Sequence, residues 1–167
     1  MSAVSVAGPC IQRIHRDAGL LFSQASLDAL HGRGIPAPKV TLDLPRDEPE
    51  GLHVFTWGTA REFGIAGALT NYVITVTFHV WMTVLAAAGT AERAAEIAAA
   101  YQATALQIPL ADITLGGEAV EVGAPAIRQA EAWGDGNGRR HAGYLLDFEV
   151  AKQVERSSIA AGIIETA

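Results

Sequence analysis

The stretch NYVITVTFHVWMTV, residues 71–84, alternates between two kinds of side chain. Its even positions are all apolar or aromatic, and its odd positions are mostly more polar, with three threonines, Asn71 and His79 beside Val73 and Trp81. Such alternation, rich in β-branched and aromatic residues, predicts a strand with one face on a core. At about 3.3 Å per residue the strand would be about 46 Å long, whereas a domain of this length has a radius of gyration of about 15 Å. The strand would therefore cross the whole molecule, and its second face must contact other residues of the chain or another molecule.

The composition is that of a folded domain. The chain has 167 residues, of which 50% are hydrophobic and 18% charged, so we expect one domain with a substantial core. The chain has 12 basic and 18 acidic residues, and it has no run of Lys or Arg. This composition argues against binding to nucleic-acid phosphates. Cys10 is the single cysteine, which excludes an intramolecular disulfide and a thiolate metal cluster. Without a basic N-terminal segment or an uninterrupted apolar span, we expect a cytoplasmic protein or a particle assembled there.

Further patterns place helices before and after the long strand. The spacing of apolar residues over 9–31 predicts a helix weakened at Gly19, followed by a short second helix capped by Ser26. A third helix begins after an N-cap at Thr90 and is stopped by Pro109.

The other segments predict strands and turns: strands at 40–44, 52–58, 126–133 and 139–154, a loop at 59–70, a hairpin over 113–122 and a turn at GDGNG, 134–138. The predicted fold is α+β, a mostly antiparallel sheet with one very long strand and helices on one face. Within this single domain, 1–167, we expect an N-terminal helical arm (1–39), an α+β core (40–154) and a C-terminal tail (155–167).

No motif indicates catalysis, a cofactor or a metal. The five histidines are scattered, and DGNG at 135–138 lacks the closing glutamate of a calcium loop. Asp147 and Glu149 lie on the same face of a predicted strand, about 7 Å apart. Such carboxylates could act as an acid–base pair, but a charged face towards solvent or another subunit explains them better. We therefore expect a protein that is not an enzyme.

The second face of the long strand is the most informative feature. It carries Val73, Thr75, Thr77, His79 and Trp81. A mixture of aromatic side chains and threonines is typical of a surface that contacts another protein. These five residues are therefore candidates for a subunit interface. The alternative is that a helix of the same chain, over residues 9–25, covers this face.

The order of these patterns resembles the tail terminator, or tail completion, proteins of long-tailed bacteriophages. The resemblance covers residues 40–152: LHVFTWGTAREFG, then VITVTFHVWMTV, the helix TAERAAEIAAAYQATAL, and a final strand in RRHAGYLLDFEVAK. It implies a hexameric ring in the virion, assembled in the host cytoplasm, that caps the tail tube and meets a head-side connector or stopper protein. Genome DNA would pass through the lumen without specific binding, with Asp147 and Glu149 towards lumen or solvent.

Three other classes of function stay open. One is another neck or tail ring component, such as a head–tail stopper or a tail tube protein. The second is a small-ligand binding or enzymatic α+β domain with a cleft near Asp147 and Glu149. The third is a cytoplasmic interaction module of the toxin or immunity type, for which the sequence has no specific feature.

Overall fold

The computed structural model describes residues 8–41, 53–57, 64–66, 72–134, 136 and 138–155, with the backbone alone at 53–57, 64–66 and 130–133. The described residues form four α-helices: α1 (Gly8–Leu21), α2 (Gln24–His31), α3 (Ala91–Ala105) and α4 (Gln107–Ala111). They form seven strands: β1 (Lys39–Thr41), β2 (His53–Trp57), β3 (Gly64–Ala66), β4 (Val73–Ala88), β5 (Glu121–Val122), β6 (Ala126–Gly134) and β7 (Arg140–Glu155). A 3-10 helix lies at Leu115–Gly117.

Two long strands form the centre of the sheet. β4 and β7 have 16 residues each, and they pair antiparallel along their whole length, from Val73 opposite Glu155 to Ala88 opposite Arg140. From Ile74 to Ala86 the even-numbered residues of β4 are buried and the odd-numbered ones are half-buried, as the alternation predicts. The predicted α+β fold is thereby confirmed, with a strand that runs four residues beyond Val84.

The remaining strands extend this pair on both sides. The order across the sheet is β1-β2-β4-β7-β5, with β3 also beside β4 and β6 also beside β7. All pairs are antiparallel except β1 with β2. At the β6–β7 hairpin, Gly136 and Gly138 have φ of 82° and 81°, a conformation that favours glycine and explains the predicted turn there.

The helices pack on the even-numbered face of β4. Helix α3 begins after Thr90, whose hydroxyl accepts a hydrogen bond from the Arg93 N–H at 3.2 Å. Three of its six buried residues are alanine, which allows close approach to the sheet. Buried residues of α1, α2 and α4 join the same core cluster as Phe78 and Met82. The alternative that the helix at 9–25 covers the odd-numbered face is therefore wrong, because α1 packs on the other side.

The first helix is present as predicted and includes Gly19, continuing to Leu21. Two predicted helix boundaries are wrong. The N-cap of α2 is Ser23, because its hydroxyl accepts from the Ser26 N–H at 3.3 Å; Ser26 itself is helical. Pro109 does not end α3, which stops at Ala105; it lies near the start of α4, where a missing N–H costs little.

Two predictions in the β-rich part also need correction. The hairpin over 113–122 is replaced by the 3-10 helix, because the carboxylate of Asp112 accepts the Gly116 N–H at 2.8 Å and Leu115 is buried. One bond, from the Val122 N–H to the Ile113 carbonyl at 2.8 Å, still joins the two ends. The segment 59–70 contains β3, so it is not entirely a loop. The rest of that segment, residues 42–44 of the predicted first strand and the tail from 156 onward lie outside the described residues.

Candidate interaction surface

The odd-numbered residues of the two long strands form one continuous surface, which we call the open face: Val73 to Leu85 on β4 and Gly143 to Glu155 on β7. Val73 is 44% exposed, and Thr75, Thr77, His79 and Trp81 are half-buried. In the described part of the chain, the buried residues of every helix belong to the core on the opposite side of the sheet. None of the described helices therefore covers the open face, which leaves it accessible to another molecule.

Both sets of candidate residues lie on this open face. Trp81 is the direct register partner of Asp147, and His79 that of Glu149. The side chain of His79 reaches diagonally, and its Nδ1 lies 2.8 Å from Oδ1 of Asp147. Exposed fractions of 27% for His79 and 32% for Asp147 place this pair at the surface. The predicted interface and the predicted lumen residues thus belong to one surface.

This arrangement also shows what the acidic residues can do chemically. Asp147 contacts His79, and Glu149, two residues further along β7, is exposed. Among the described residues no group of three potential metal ligands comes together. None of the described helices has the length and hydrophobicity needed to cross a membrane. The open face is thus a surface of mixed apolar, hydroxyl and acidic side chains.

A second cluster, which the sequence did not reveal, joins α1 to the end of α4. Arg13 donates from Nε to Oδ2 of Asp112 at 2.8 Å and lies 3.5 Å from Oδ1 of Asp17. The spacing of Arg13 and Asp17 suits an i,i+4 pair on a helix, but Asp112 lies 95 residues beyond Asp17 and no local pattern indicates it. Glycine suits position 116 beside this cluster: its φ is 67°, a conformation that favours glycine, and a Cβ there would lie 2.9 Å from Cζ of Arg13.

The two carboxyl groups of this cluster titrate differently. Burial and then a hydrogen bond with Asp112 raise the pKa of Asp17 from 3.8 to about 6. Burial would also raise the pKa of Asp112, but hydrogen bonds from Asp17, Arg13 and the Gly116 N–H outweigh it and lower that pKa. An ionised Asp17 leaves its Oδ2 buried without a hydrogen-bond partner, whereas the protonated carboxyl can donate to Asp112. Two open pockets of about 260 and 270 Å³ flank Arg13.

The segment between α2 and β1, residues 32–38, is fixed by three side chains. Gln24 donates to the Ile35 carbonyl at 2.8 Å and accepts from the Ala37 N–H at 3.0 Å. The hydroxyl of Tyr101 donates to the Pro36 carbonyl at 2.5 Å, and Arg93 donates to the Gly34 carbonyl. Because these contacts join α2, α3 and the following segment, the glycine- and proline-rich stretch has a defined path.

The single cysteine lies in the same part of the core. Cys10 is fully buried, and its Sγ lies 3.6 Å from the Glu118 carbonyl oxygen. Burial raises the pKa of its thiol to about 11, so the thiol form dominates at neutral pH. Cys10 is therefore a packing residue, in keeping with its place on the buried side of α1.

Comparisons with known proteins give little beyond this geometry. No protein family matches the chain, and no curated protein matches it. Among solved structures, the chain is similar to one from the virion of a native gene transfer agent particle. That likeness covers 88% of this chain and 98% of the other, with 16% sequence identity and a TM-score of 0.36. At that TM-score we draw no conclusion about this chain from the virion chain.

Proposed function

We propose that this chain is a structural subunit of a phage-like particle, and that it is a tail terminator. Six copies form a ring that caps the tail tube and joins it to a head-side connector or stopper protein. The pattern of elements over residues 40–152 supports this proposal, because a long alternating strand, a helix and a final alternating strand follow one another as in that family. The protein then belongs to the neck or tail of the virion, is assembled in the host cytoplasm and is not an enzyme.

The observation that carries the proposal is the open face. Two strands of 16 residues each, about 50 Å long, have one side on the core and one side half-exposed. Trp81 and Val73 lie among threonines on that second side. A surface of this composition is more typical of a contact between proteins than of a surface exposed only to solvent. A closed ring also removes exposed sheet edges, which would otherwise promote aggregation.

The charge of the chain is compatible with a channel for DNA. The formal net charge is −6, and the open face carries Asp147, Glu149 and Glu155. Carboxylates repel phosphates, so DNA can move past such a surface without being held. In this proposal the open face borders the lumen in part and meets neighbouring copies in part.

The test is a mixture of the purified chain with a polymerising tail tube protein, imaged by negative stain. A terminator forms rings with a central hole, stops tube growth at the end it binds and does not polymerise alone. Extended tubes formed by this chain alone would contradict the terminator role and favour a tube protein. A monodisperse monomer that leaves tube length unchanged would contradict any ring component.

A further inference from the structure

The contact between α1 and the end of α4 joins two carboxyl groups with one cation. Arg13 lies with its Nε 2.8 Å from Oδ2 of Asp112 and 3.5 Å from Oδ1 of Asp17. Asp112 also accepts the Gly116 N–H at 2.8 Å. Asp17 is less well satisfied, because its Oδ2 is buried without a hydrogen-bond partner. A proton on Asp17 satisfies that oxygen, since the carboxyl group can then donate to Asp112.

The charged groups that face Asp17 do not compensate a second negative charge. They are Asp112 from the end of α4, and Arg13 and Arg16 from α1 itself. Arg13 is closer to Asp112 than to Asp17, and Arg16 is exposed, so solvent screens its charge. In the described part of the chain, no charged group on α2, α3, β1 or the 3-10 helix interacts with Asp17. An ionised Asp17 therefore faces an ionised Asp112 with one cation shared between them.

Protonation of Asp17 therefore sets the strength of this contact. Burial and then the hydrogen bond with Asp112 raise the pKa of Asp17 from 3.8 to about 6, whereas the pKa of Asp112 is lowered. The closed contact binds the proton of Asp17 more tightly than the separated groups do, so its stabilisation is complete below about pH 4. The stabilisation decreases as pH rises through about 6, because Asp17 then loses its proton and two like charges repel.

The single cysteine of the chain lies between the same two parts of the molecule. Cys10 is on α1, about two helical turns before Asp17. Its Sγ is 3.6 Å from the carbonyl oxygen of Glu118, which directly follows the 3-10 helix, and the residue is fully buried. Separation of α1 from the segment 107–118 uncovers this thiol, whichever of the two parts moves. Labelling of Cys10 therefore measures how often the contact opens.

We propose that the paired carboxyl groups of Asp17 and Asp112 form a pH-sensitive contact, which holds α1 on the segment 107–118 in acid and weakens at neutral pH. The chemical step is the transfer of one proton from Asp17 to water, and no bond between heavy atoms changes. The contact acts on the helical layer, on the opposite side of the sheet from the open face. The inference is independent of the proposed ring.

Thiol labelling of the full chain tests this proposal. The rate at which a dipyridyl disulfide labels Cys10 is measured between pH 5 and 7.5. It is divided by the rate for a peptide of residues 8–13, which removes the effect of thiolate formation. We expect this ratio to increase about tenfold from pH 5 to 7.5, which is the change given by a pKa of 3.8 in the open state and of about 6 in the closed state.

Asp17→Asn removes the titrating group. The amide retains a hydrogen-bond donor towards Asp112, so the labelling ratio should stay near the wild-type value at pH 5 over the whole range. Asp28→Asn, on the exposed side of α2, is the matched control and should retain the tenfold increase of the wild type. Circular dichroism checks that both variants are folded.

Hydrogen exchange in the wild type separates local from global opening. At pH 7.5 the most protected amides of α1 should exchange at least about tenfold faster than those of α3, after correction for intrinsic rates, because α1 separates while α3 stays packed. Equal protection of the two helices would show that α1 opens only by global unfolding, which would overturn the proposal. A labelling ratio that is constant in the wild type also overturns it, as does a tenfold increase that persists in Asp17→Asn.

Discussion

His79 and Asp147 are joined across the two central strands, with His79 Nδ1 2.8 Å from Oδ1 of Asp147, although neither is the direct register partner of the other. The direct partner of Asp147 is Trp81. The diagonal contact therefore places an ion-pairing group beside the half-buried indole, and it holds that part of the open face in one arrangement. A polar border around an aromatic residue is the composition expected at a protein contact.

Replacement of Trp81 by glutamate tests this contact. The new carboxylate would lie opposite Asp147, where like charges repel, and it would have to be desolvated in any interface. We expect the subunit to keep its circular-dichroism spectrum and to lose assembly in size-exclusion chromatography. Tyr72→Glu, at a site 69% exposed just before β4, is the matched control and should assemble normally. An unfolded Trp81→Glu monomer would show that the indole belongs to an intramolecular core.

Phe78→Ala tests the other face of β4. Phe78 is fully buried and is opposite Val150, which is also fully buried. Removing the ring leaves a cavity, so the free energy of unfolding should fall by about 3–5 kcal/mol in urea denaturation. Thr75→Ala, on the open face of the same strand, should cost less than about 1 kcal/mol. A cost below about 1 kcal/mol for Phe78→Ala would contradict the burial of this face.

Gly143→Ala tests the packing of the long strand pair. A Cβ at Gly143 would lie 2.7 Å from the Val84 carbonyl oxygen and 2.7 Å from Cδ2 of Leu85. Because one of these atoms is backbone in the sheet, the strands must shift, and we expect a loss of about 1–3 kcal/mol in thermal or chemical denaturation. Gly89→Ala, where a Cβ meets nothing within 4 Å, is the control. Equal stability of the two variants would contradict the close approach.

Asp17→Asn tests the carboxyl pair. The pKa of Asp17 is about 6 in the folded chain and 3.8 ordinarily, so between these values the folded state binds more protons than the unfolded state. The stability that the raised pKa of Asp17 contributes is therefore lost as pH rises from about 4 to 6. The amide can still donate to Asp112, and at pH 7.5 the variant should be about 1–2 kcal/mol more stable after allowance for solvent screening.

The measurement is urea denaturation at pH 4.5, 6 and 7.5. The lowered pKa of Asp112 makes the free energy of unfolding fall as pH decreases, and it does so at lower pH. It therefore has little effect between pH 4.5 and 7.5. Asp28→Asn, on the exposed side of α2, should retain the pH dependence of the wild type. A pH dependence that is unchanged in Asp17→Asn would show that Asp17 does not carry it.

The elements that local periodicity encodes are those that the sequence predicts well. Alternation along β4 predicted its buried face and most of its length, although the strand continues four residues beyond Val84, and the N-cap at Thr90 placed the start of α3. Local pattern failed where distant groups decide the structure. The 3-10 helix at Leu115–Gly117 replaces the predicted hairpin turn because Leu115 is buried in the core, and β3 is a strand because β4 offers it an edge.

The candidate surface was predicted in part. Alternation identified His79 and Trp81 as members of the second face of β4, and Asp147 and Glu149 as members of one face of β7. That these are the same face depends on the register between β4 and β7, which no local pattern specifies. The cluster of Arg13, Asp17 and Asp112 could not be predicted for a similar reason, since it joins segments far apart in the chain.

The central claim is that the open face joins copies of this chain into a ring. The most direct test is native mass spectrometry of the full chain at about 10–100 μM. These concentrations are about ten to a hundred times the Kd of a contact with micromolar affinity. The account predicts a closed assembly of six copies, and it predicts that Trp81→Glu removes this assembly while the monomer stays folded. A wild type found only as a monomer over that whole range would contradict it.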